Sequence, residues 1–368
     1  MNVFMIETPL QLLNCIEAIH HFNFCKNILL ILLTGSFKQH YFKNLITDED
    51  WDAIYYIEFK RINTEYDFGL NRPRNLYERY LELSSIFDTY RKRRRLDRMA
   101  RKLAYTDNLI LGNYLSGHKD YMRHFANTLS YGTLYLVDDG TDTIRINDER
   151  IQNTPFHDTV NTTTKTWFKR FKESIGKKYI YWRGEGAPKL AFFTCYDITV
   201  KPGDSIIKND YYYLRYQSST SQASDRVYFL GQSLIDDGYI TKEDYLAYLM
   251  TVKDYFKNYH VLYIPHPRES AHYVDMIKQE LSIEVNRPDV PIEYEITIRR
   301  NRPKYLCSFF SSALINCSLI LNDTQFTKAF FIPPDHILPT RITEVIGYYN
   351  YFRSNTDIEV IDTSTLAQ

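Results

Sequence analysis

Apolar residues along the chain fall into short runs separated by segments with helical spacing. Val3 to Ile6, Asn27 to Leu33, Ala53 to Ile57, Asn108 to Leu111 and Thr133 to Val137 are compact runs rich in Ile, Leu, Val and aromatic residues. Runs of this kind, bounded by polar residues, are what strands buried on both faces require. Thr8 and Pro9 follow the first run. A Thr N-cap with Pro at the first helical position predicts a helix start there. A long helical pattern covers Leu76 to Ala104. Strand–helix–strand alternation predicts a mostly parallel sheet covered by helices.

The stretch from about Asn147 to Lys208 mixes Thr, Pro, Lys and aromatic residues without a period. It reads as linker plus irregular structure. The alternation restarts at Arg226, with a strand at Val227 to Leu230, a helix at Lys242 to Lys257 and a strand at Val261 to Ile264. Tyr305 to Phe310 reads as another strand, leading into a Ser-rich helix start. The expected architecture is α/β, with two Rossmann-type domains whose parallel sheets face an interdomain cleft. The expected domains are residues 1–210, with the irregular linker from about 147, and residues 211–368. Functional loops belong at the carboxyl ends of the strands.

Composition narrows the function. The 368 residues carry 45 basic and 45 acidic side chains, so a strongly basic nucleic-acid binder is not expected. An aromatic content of 15% excludes disorder as a whole-chain description. Cys15, Cys25, Cys195, Cys307 and Cys317 are odd in number and form no CxxC pair, which speaks against a disulfide framework or a zinc ribbon. Reduced thiols fit a cytoplasmic setting. The opening MNVFMIETPLQLL has no basic n-region, so no secretory signal is expected. Ile28 to Leu33 is the longest aliphatic run, far short of the roughly 20 residues of a membrane span.

Several familiar motifs are missing: there is no GxGxxG, P-loop, HExxH or GxSxG. Asp48-Glu49-Asp50 has an Asp-x-Asp form but lies in an acidic stretch that reads as a solvated loop. Three strand ends are more informative. Leu134 to Val137 runs directly into Asp138-Asp139-Gly140-Thr141. One of two adjacent carboxylates there can be buried and serve as a general base, although the same residues also suit an Asx turn. Val261 to Ile264 runs into Pro265-His266-Pro267-Arg268, where two prolines fix the backbone around a His suited to a phosphate or departing anion. Ser308-Phe-Phe-Ser311-Ser312-Ala313 places hydroxyls and free N–H groups at a helix start, which suits an anion as well as ordinary capping. A second Asp-Asp-Gly at Asp236 to Gly238 reads mainly as a turn. His20 and His21 fall on the first helix and read as structural.

These three segments, in this order, resemble the acidic–acidic–Gly, His-Pro and Ser/Thr motifs of bacterial sialyltransferases. VDDGT at 137–141, IPHPR at 264–268 and YLCSFFSSA at 305–313 are similar to core segments of glycosyltransferase family 52, the lipooligosaccharide sialyltransferases. The opening ETPLQLL is similar to that family's first strand-to-helix segment, and the likeness spans roughly residues 1 to 320. It implies a GT-B-like fold, CMP-sialic acid as donor, inversion at the anomeric carbon, and no cofactor or required metal. By the same resemblance, His266 and Pro267 hold the CMP phosphate, with His266 protonating it as it leaves, and Ser311 and Ser312 bind the same group. Glu293 grips the ribose hydroxyls, and Gly231 with Gln232 lines the donor pocket. Asp138 deprotonates the acceptor hydroxyl with Asp139 in support. Some family members carry an Asp soon after the Gly that ends this strand. Here Gly231-Gln232-Ser233-Leu234 follows instead, so the base stays open between Asp138 and the Asp236–Asp237 pair.

The implied acceptor is a galactose-type hydroxyl of a lipooligosaccharide or capsule. A relative using another nucleotide-sugar, or a non-catalytic glycan-binding protein on the same fold, are the competing readings. Two basic stretches, Tyr90 to Lys102 and Lys165 to Lys172, the second interleaving cations with aromatics, suggest contact with the inner face of the membrane, although the first also suits a solvated helix face and the second a dimer or domain contact. A homodimer is the further partner considered.

Overall fold

The computed structural model describes residues 1–35, 37–47, 49–59, 76–115, 120–152, 188–218, 223–322, 326–356 and 358–366. The chain divides into two compact units, Met1–Lys208 and Asn209–Gln368.

The first unit is built on seven parallel strands: β1 (Asn2–Ile6), β2 (Asn27–Leu33), β3 (Ala53–Glu58), β4 (Tyr105–Leu111), β5 (Ser130–Val137), β6 (Ala191–Thr194) and β7 (Ser205–Lys208). Their order in the sheet is β3-β2-β1-β4-β5-β6-β7. Val3, Phe4, Met5 and Ile6 are fully buried, as a central strand covered on both faces requires. The helix Pro9–Phe22 starts where the sequence predicts: Thr8 is extended and its hydroxyl accepts from the Gln11 N–H at 3.2 Å. Asn23, in the left-handed region at φ 53°, stops it.

The second unit carries six parallel strands: β8 (Arg226–Leu230), β9 (His260–Ile264), β10 (Glu284–Val285), β11 (Tyr305–Ser308), β12 (Thr327–Phe331) and β13 (Glu359–Asp362). Their order is β10-β9-β8-β11-β12-β13. The two sheets share one winding rule. Each grows outward one way from its first strand and then jumps back to the other side, so the order reverses between β1 and β4 and between β8 and β11. In doubly wound sheets the carboxyl ends at such a switch point form the binding crevice.

The expectation of an irregular linker from 147 is corrected for the residues described. Helix Asp142–Ile151, β6 and β7 occupy this stretch, while 153–187 lies outside the described residues. Four-residue strands are too short to show a period. An internal ion pair anchors the segment. Arg150 Nε and Nη2 both lie 2.7 Å from Asp204, and Asp204 also accepts from the Leu190 N–H at 2.9 Å. β11 is shorter than the expected Tyr305 to Phe310. It ends at Ser308, because the Phe310 N–H goes to the Gln232 side chain at 3.0 Å instead of to a neighbouring strand. Among the described residues, no helix is long and apolar enough to cross a membrane.

Candidate active site

In the first unit, polar residues follow the carboxyl ends of β1, β4 and β5. Gly140, at φ 59°, turns the chain sharply after β5, a conformation that costs Gly nothing. Asp138 is buried, at 1% exposure. Its Oδ2 accepts from the Cys195 N–H at 2.8 Å, and its backbone carbonyl accepts from Asn14 Nδ2 at 3.0 Å. Among the described residues, Oδ1 has no hydrogen-bond partner. Burial raises the Asp138 pKa to about 6, against hydrogen bonding from the Cys195 N–H and the Thr194 and Thr143 hydroxyls.

Asp139 is half-buried and turned toward the switch point. It accepts from Thr8 Oγ1, just beyond β1, at 3.3 Å and from Asn113 Nδ2, just beyond β4, at 2.8 Å. Asn113 is oriented by its own Oδ1, which accepts from the Leu115 N–H at 2.9 Å, so its amino group faces the carboxylates. The sequence reading assigned no site role to Thr8 or Asn113. Only their position after two strands that become neighbours in space reveals them.

In the second unit, His266 follows β9, Gly231 and Gln232 follow β8, and Ser311 and Ser312 follow β11. These three strands are adjacent and parallel, so all five residues lie at one end of one sheet. The Arg268 N–H donates to His266 Nδ1 at 3.2 Å, which leaves the ring proton on Nε2. No described residue accepts from that Nε2. Burial, and secondarily the Arg268 charge, lower the His266 pKa to about 4. Pro267 is exposed beside it. Gln232 Oε1 accepts from Ser308 Oγ at 3.2 Å and from the Phe310 N–H at 3.0 Å, tying the end of β8 to the end of β11. Ser311 and Ser312 are half-buried at the start of helix Ala313–Leu321. Ser311 Oγ accepts from the Ala313 N–H at 3.3 Å, and Ser312, the N-cap, makes no side-chain cap bond. Its hydroxyl is therefore not spent on the helix.

Glu293 is placed differently. It is buried in the first turn of helix Ile292–Thr297, where Asn316 Nδ2 donates to Oε1 at 2.9 Å. Burial raises its pKa. No described hydrogen bond joins it to His266, Ser311 or Ser312. Asp236 and Asp237 are drawn to the His266 loop. Asp236 Oδ2 accepts from the Ser270 N–H at 3.1 Å, and Asp237 accepts from Ser233 Oγ at 2.6 Å and faces Arg268 at 3.5 Å. Glu49 is exposed in its loop, and Asp48 lies outside the described residues. Among the described residues, no cluster of three or more His, Cys, Asp or Glu side chains could hold a metal ion.

Two tandem doubly wound units without a dinucleotide fingerprint are the domain content of the GT-B glycosyltransferases. The chain belongs to the alpha-2,8-polysialyltransferase (POLYST) family, whose sequence profile matches residues 2–329. It is thus a glycosyltransferase of a sialyltransferase family, and the Asp-Asp-Gly, His-Pro and Ser-pair segments all lie inside the match. No curated protein sequence matches it. Among solved structures it is similar to the Escherichia coli heptosyltransferase WaaC with ADP, at 12% identity and a TM-score of 0.41, covering 98% of this chain and 91% of that one. It is also similar to Arabidopsis thaliana UGT89C1 complexed with UDP, at 12% identity and a TM-score of 0.47, covering 100% and 89%. A glycosyl transferase family 9 protein from Veillonella parvula DSM 2008 follows at 10% identity and 0.39, covering 99% and 86%. The family match, rather than these distant likenesses, carries the functional conclusion.

Proposed function

We propose that the protein transfers sialic acid from CMP-sialic acid, with inversion and without a required metal ion, to a hydroxyl of a bacterial surface glycan. The observation that carries this reading is His266. It is fixed in one tautomer at a strand end, with Nε2–H unspent, on the same sheet edge as the two serines.

The roles follow from the chemistry. The sialyl transition state is cationic at the anomeric carbon, and the departing CMP gains negative charge on a phosphate oxygen. Donors aimed at that oxygen stabilise it. With a pKa near 4, His266 is neutral at physiological pH and donates from Nε2. The Nε2–H bond to the departing phosphate oxygen stabilises the charge as it grows, and CMP leaves as the anion without taking the proton. Ser311, Ser312 and the helix start add further donors. Gly231 and Gln232 shape the β8 side of the donor site, and Glu293 takes the ribose.

In the first unit, Asp138 is the base. Its unmatched Oδ1 and raised pKa suit proton abstraction near neutrality. As the new C–O bond forms, the acceptor proton passes to Asp138 and the old bond's electron pair leaves with CMP. Asp139, held by Thr8 and Asn113, presents the half-exposed carboxylate over which the acceptor enters. The family's description favours the terminal sialic acid of a growing chain as acceptor over a galactose-type hydroxyl. The inner membrane face would bring enzyme and glycan together. Arg91, Arg94, Arg95, Arg98, Arg101 and Lys102 are exposed on helix Leu76–Leu103, and the second basic stretch lies outside the described residues.

Donor hydrolysis and transfer with CMP-sialic acid, UDP-sugars and GDP-sugars, each offered galactosyl- and sialyl-terminated acceptors, tests the reading. It expects turnover with CMP-sialic acid alone. Turnover with another nucleotide-sugar replaces the donor.

A further inference from the structure

Beneath the donor-side loops lies a buried polar network that the function above does not use. Glu269, Tyr263 and Tyr245 are all buried. The Glu269 carboxylate accepts two hydrogen bonds, from the Tyr263 hydroxyl and from the His266 backbone N–H. The Glu269 N–H in turn donates to the His266 carbonyl at 3.0 Å, so both backbone groups of His266 are gripped by one residue. Tyr263 OH lies 2.9 Å from Tyr245 OH, and Tyr245 OH lies 3.4 Å from both the N and the O of Gln232. Gln232 then reaches Ser308 and Phe310 through its side chain. One chain of hydrogen bonds therefore joins the loops after β9, β8 and β11.

Gly231 belongs to the same arrangement. A Cβ there would stand 2.3 Å from Tyr263 Oη and 2.4 Å from Glu269 Oε2. The missing side chain at 231 makes room for the network, which accounts for glycine at this position without appeal to a ligand.

Resting on the donor-site reading above, we infer that Glu269 is a positioning residue: through the His266 backbone and the Tyr263–Tyr245 relay it holds the three donor-binding loops in register. A buried carboxylate that accepts two fixed donors is a geometric clamp, and removing one of its acceptor positions leaves a buried donor unpaired. The clamp is also sensitive to pH. Burial raises the Glu269 pKa to about 7, against the Tyr263 and His266 hydrogen bonds and the Arg287 charge, with Asp236 acting in the same direction as burial. Tyr263, Tyr245, His266, Arg287 and Asp236 are the titratable groups facing it. Protonation of the oxygen facing the His266 N–H would lose that bond, whereas protonation of the oxygen facing Tyr263 reverses the hydroxyl relay toward Tyr245; either way the hold on the loops changes as pH falls through neutrality.

Two readouts test this. In full-length protein with 15N-labelled histidine, the His266 backbone amide should shift with pH near neutrality in wild type. It should stay flat in Glu269→Gln. An amide that titrates identically in both, or in neither, overturns the clamp whatever the donor is. Calorimetric titration with CMP should show affinity about 5- to 100-fold weaker in Glu269→Gln, with the loss of affinity at low pH reduced relative to wild type. Tyr245→Phe, which removes only the relay to Gln232, should weaken CMP binding less and leave the His266 amide titrating. It serves also if Glu269→Gln fails to fold. Unchanged CMP affinity in Tyr245→Phe overturns the relay. Wild type that ignores CMP while its His266 amide titrates as expected refutes the donor assignment and not the clamp.

Discussion

The two units follow one topology and put polar loops at equivalent switch points, yet they bury opposite kinds of group there. The first unit buries a carboxylate, Asp138, and its pKa rises to about 6. The second half-buries an imidazole, His266, and its pKa falls to about 4. The same physical cause acts in both: removal from water penalises the charged form, whichever sign it carries. The result is a ready proton acceptor on one unit and a neutral hydrogen-bond donor on the other, the division that the proposed transfer calls for. The surroundings differ accordingly. Around Asp139 the partners are the neutral side chains of Thr8 and Asn113. Around His266 they include a second buried acid, Glu269, and an exposed Arg268–Asp237 pair.

The comparison is broken most severely by removing either of these groups. Asp138→Asn should lower turnover toward the upper end of the roughly 100- to 10,000-fold range of general acid–base groups, and Asp139→Asn should cost less. If Asp139→Asn is dead and Asp138→Asn active, the base is the outer carboxylate. If Asp138→Asn is active and Asp236→Asn or Asp237→Asn is dead, it lies in the loop after β8. His266→Ala should fall in the same range, and retention of more than about a tenth of activity rejects its leaving-group role.

A smaller effect is expected from Gly231→Ala, because the added methyl meets two hydroxyl and carboxylate oxygens that are themselves held. Overpacking of this kind costs about 1–3 kcal/mol. Thermal unfolding should show that loss, and it should shrink in the Gly231→Ala, Glu269→Ala double variant, where the obstructing carboxylate is gone.

Initial rates sharpen the first-unit side. The base must be ionised, so kcat/KM should fall as pH drops below about 6, about tenfold per unit. A limb near 4 instead would assign the base to an ordinary carboxylate.

The smallest effects lie in stability. Asp138 is protonated in the folded state over the window from 3.8 to about 6, where the unfolded chain has already released its proton. Its contribution to stability therefore falls as pH rises through that window. His266 does the reverse: from about 4 to 6.5 the unfolded chain holds the proton and the folded state does not, so its contribution rises with pH. Denaturant titrations should show Asp138→Asn steepening the rise in stability with pH, and His266→Ala flattening it. Equal slopes in the two variants and wild type would mean that neither group is perturbed.

Much of the frame was legible in the chain because buried parallel strands are unbroken apolar runs. β2 and the Thr8-Pro9 helix start could be read residue by residue. The short strands β6 and β7 could not, since four residues carry no period, and the ion pair that anchors them joins Arg150 to Asp204 across 54 positions. The ends of β5, β9 and β11 could be picked out because Asp, Pro-flanked His and Ser break an apolar run abruptly. Their partners could not. Thr8 and Asn113 meet Asp139 only because β1, β4 and β5 become neighbours, and Glu269, to which the sequence assigned no role, fills the space beside Gly231 only in the folded chain. The role given to Glu293 came from resemblance alone; the fold sets that carboxylate against Asn316, one turn into the helix that Ser312 caps.

The claim at the centre of this account is that donor and acceptor chemistry are carried by different units. Calorimetric titration of CMP into Asp138→Asn and His266→Ala, beside wild type, tests it most directly. The account predicts wild-type CMP affinity in Asp138→Asn, whose transfer is lost, and weakened affinity in His266→Ala. CMP affinity lost in Asp138→Asn and retained in His266→Ala would contradict it.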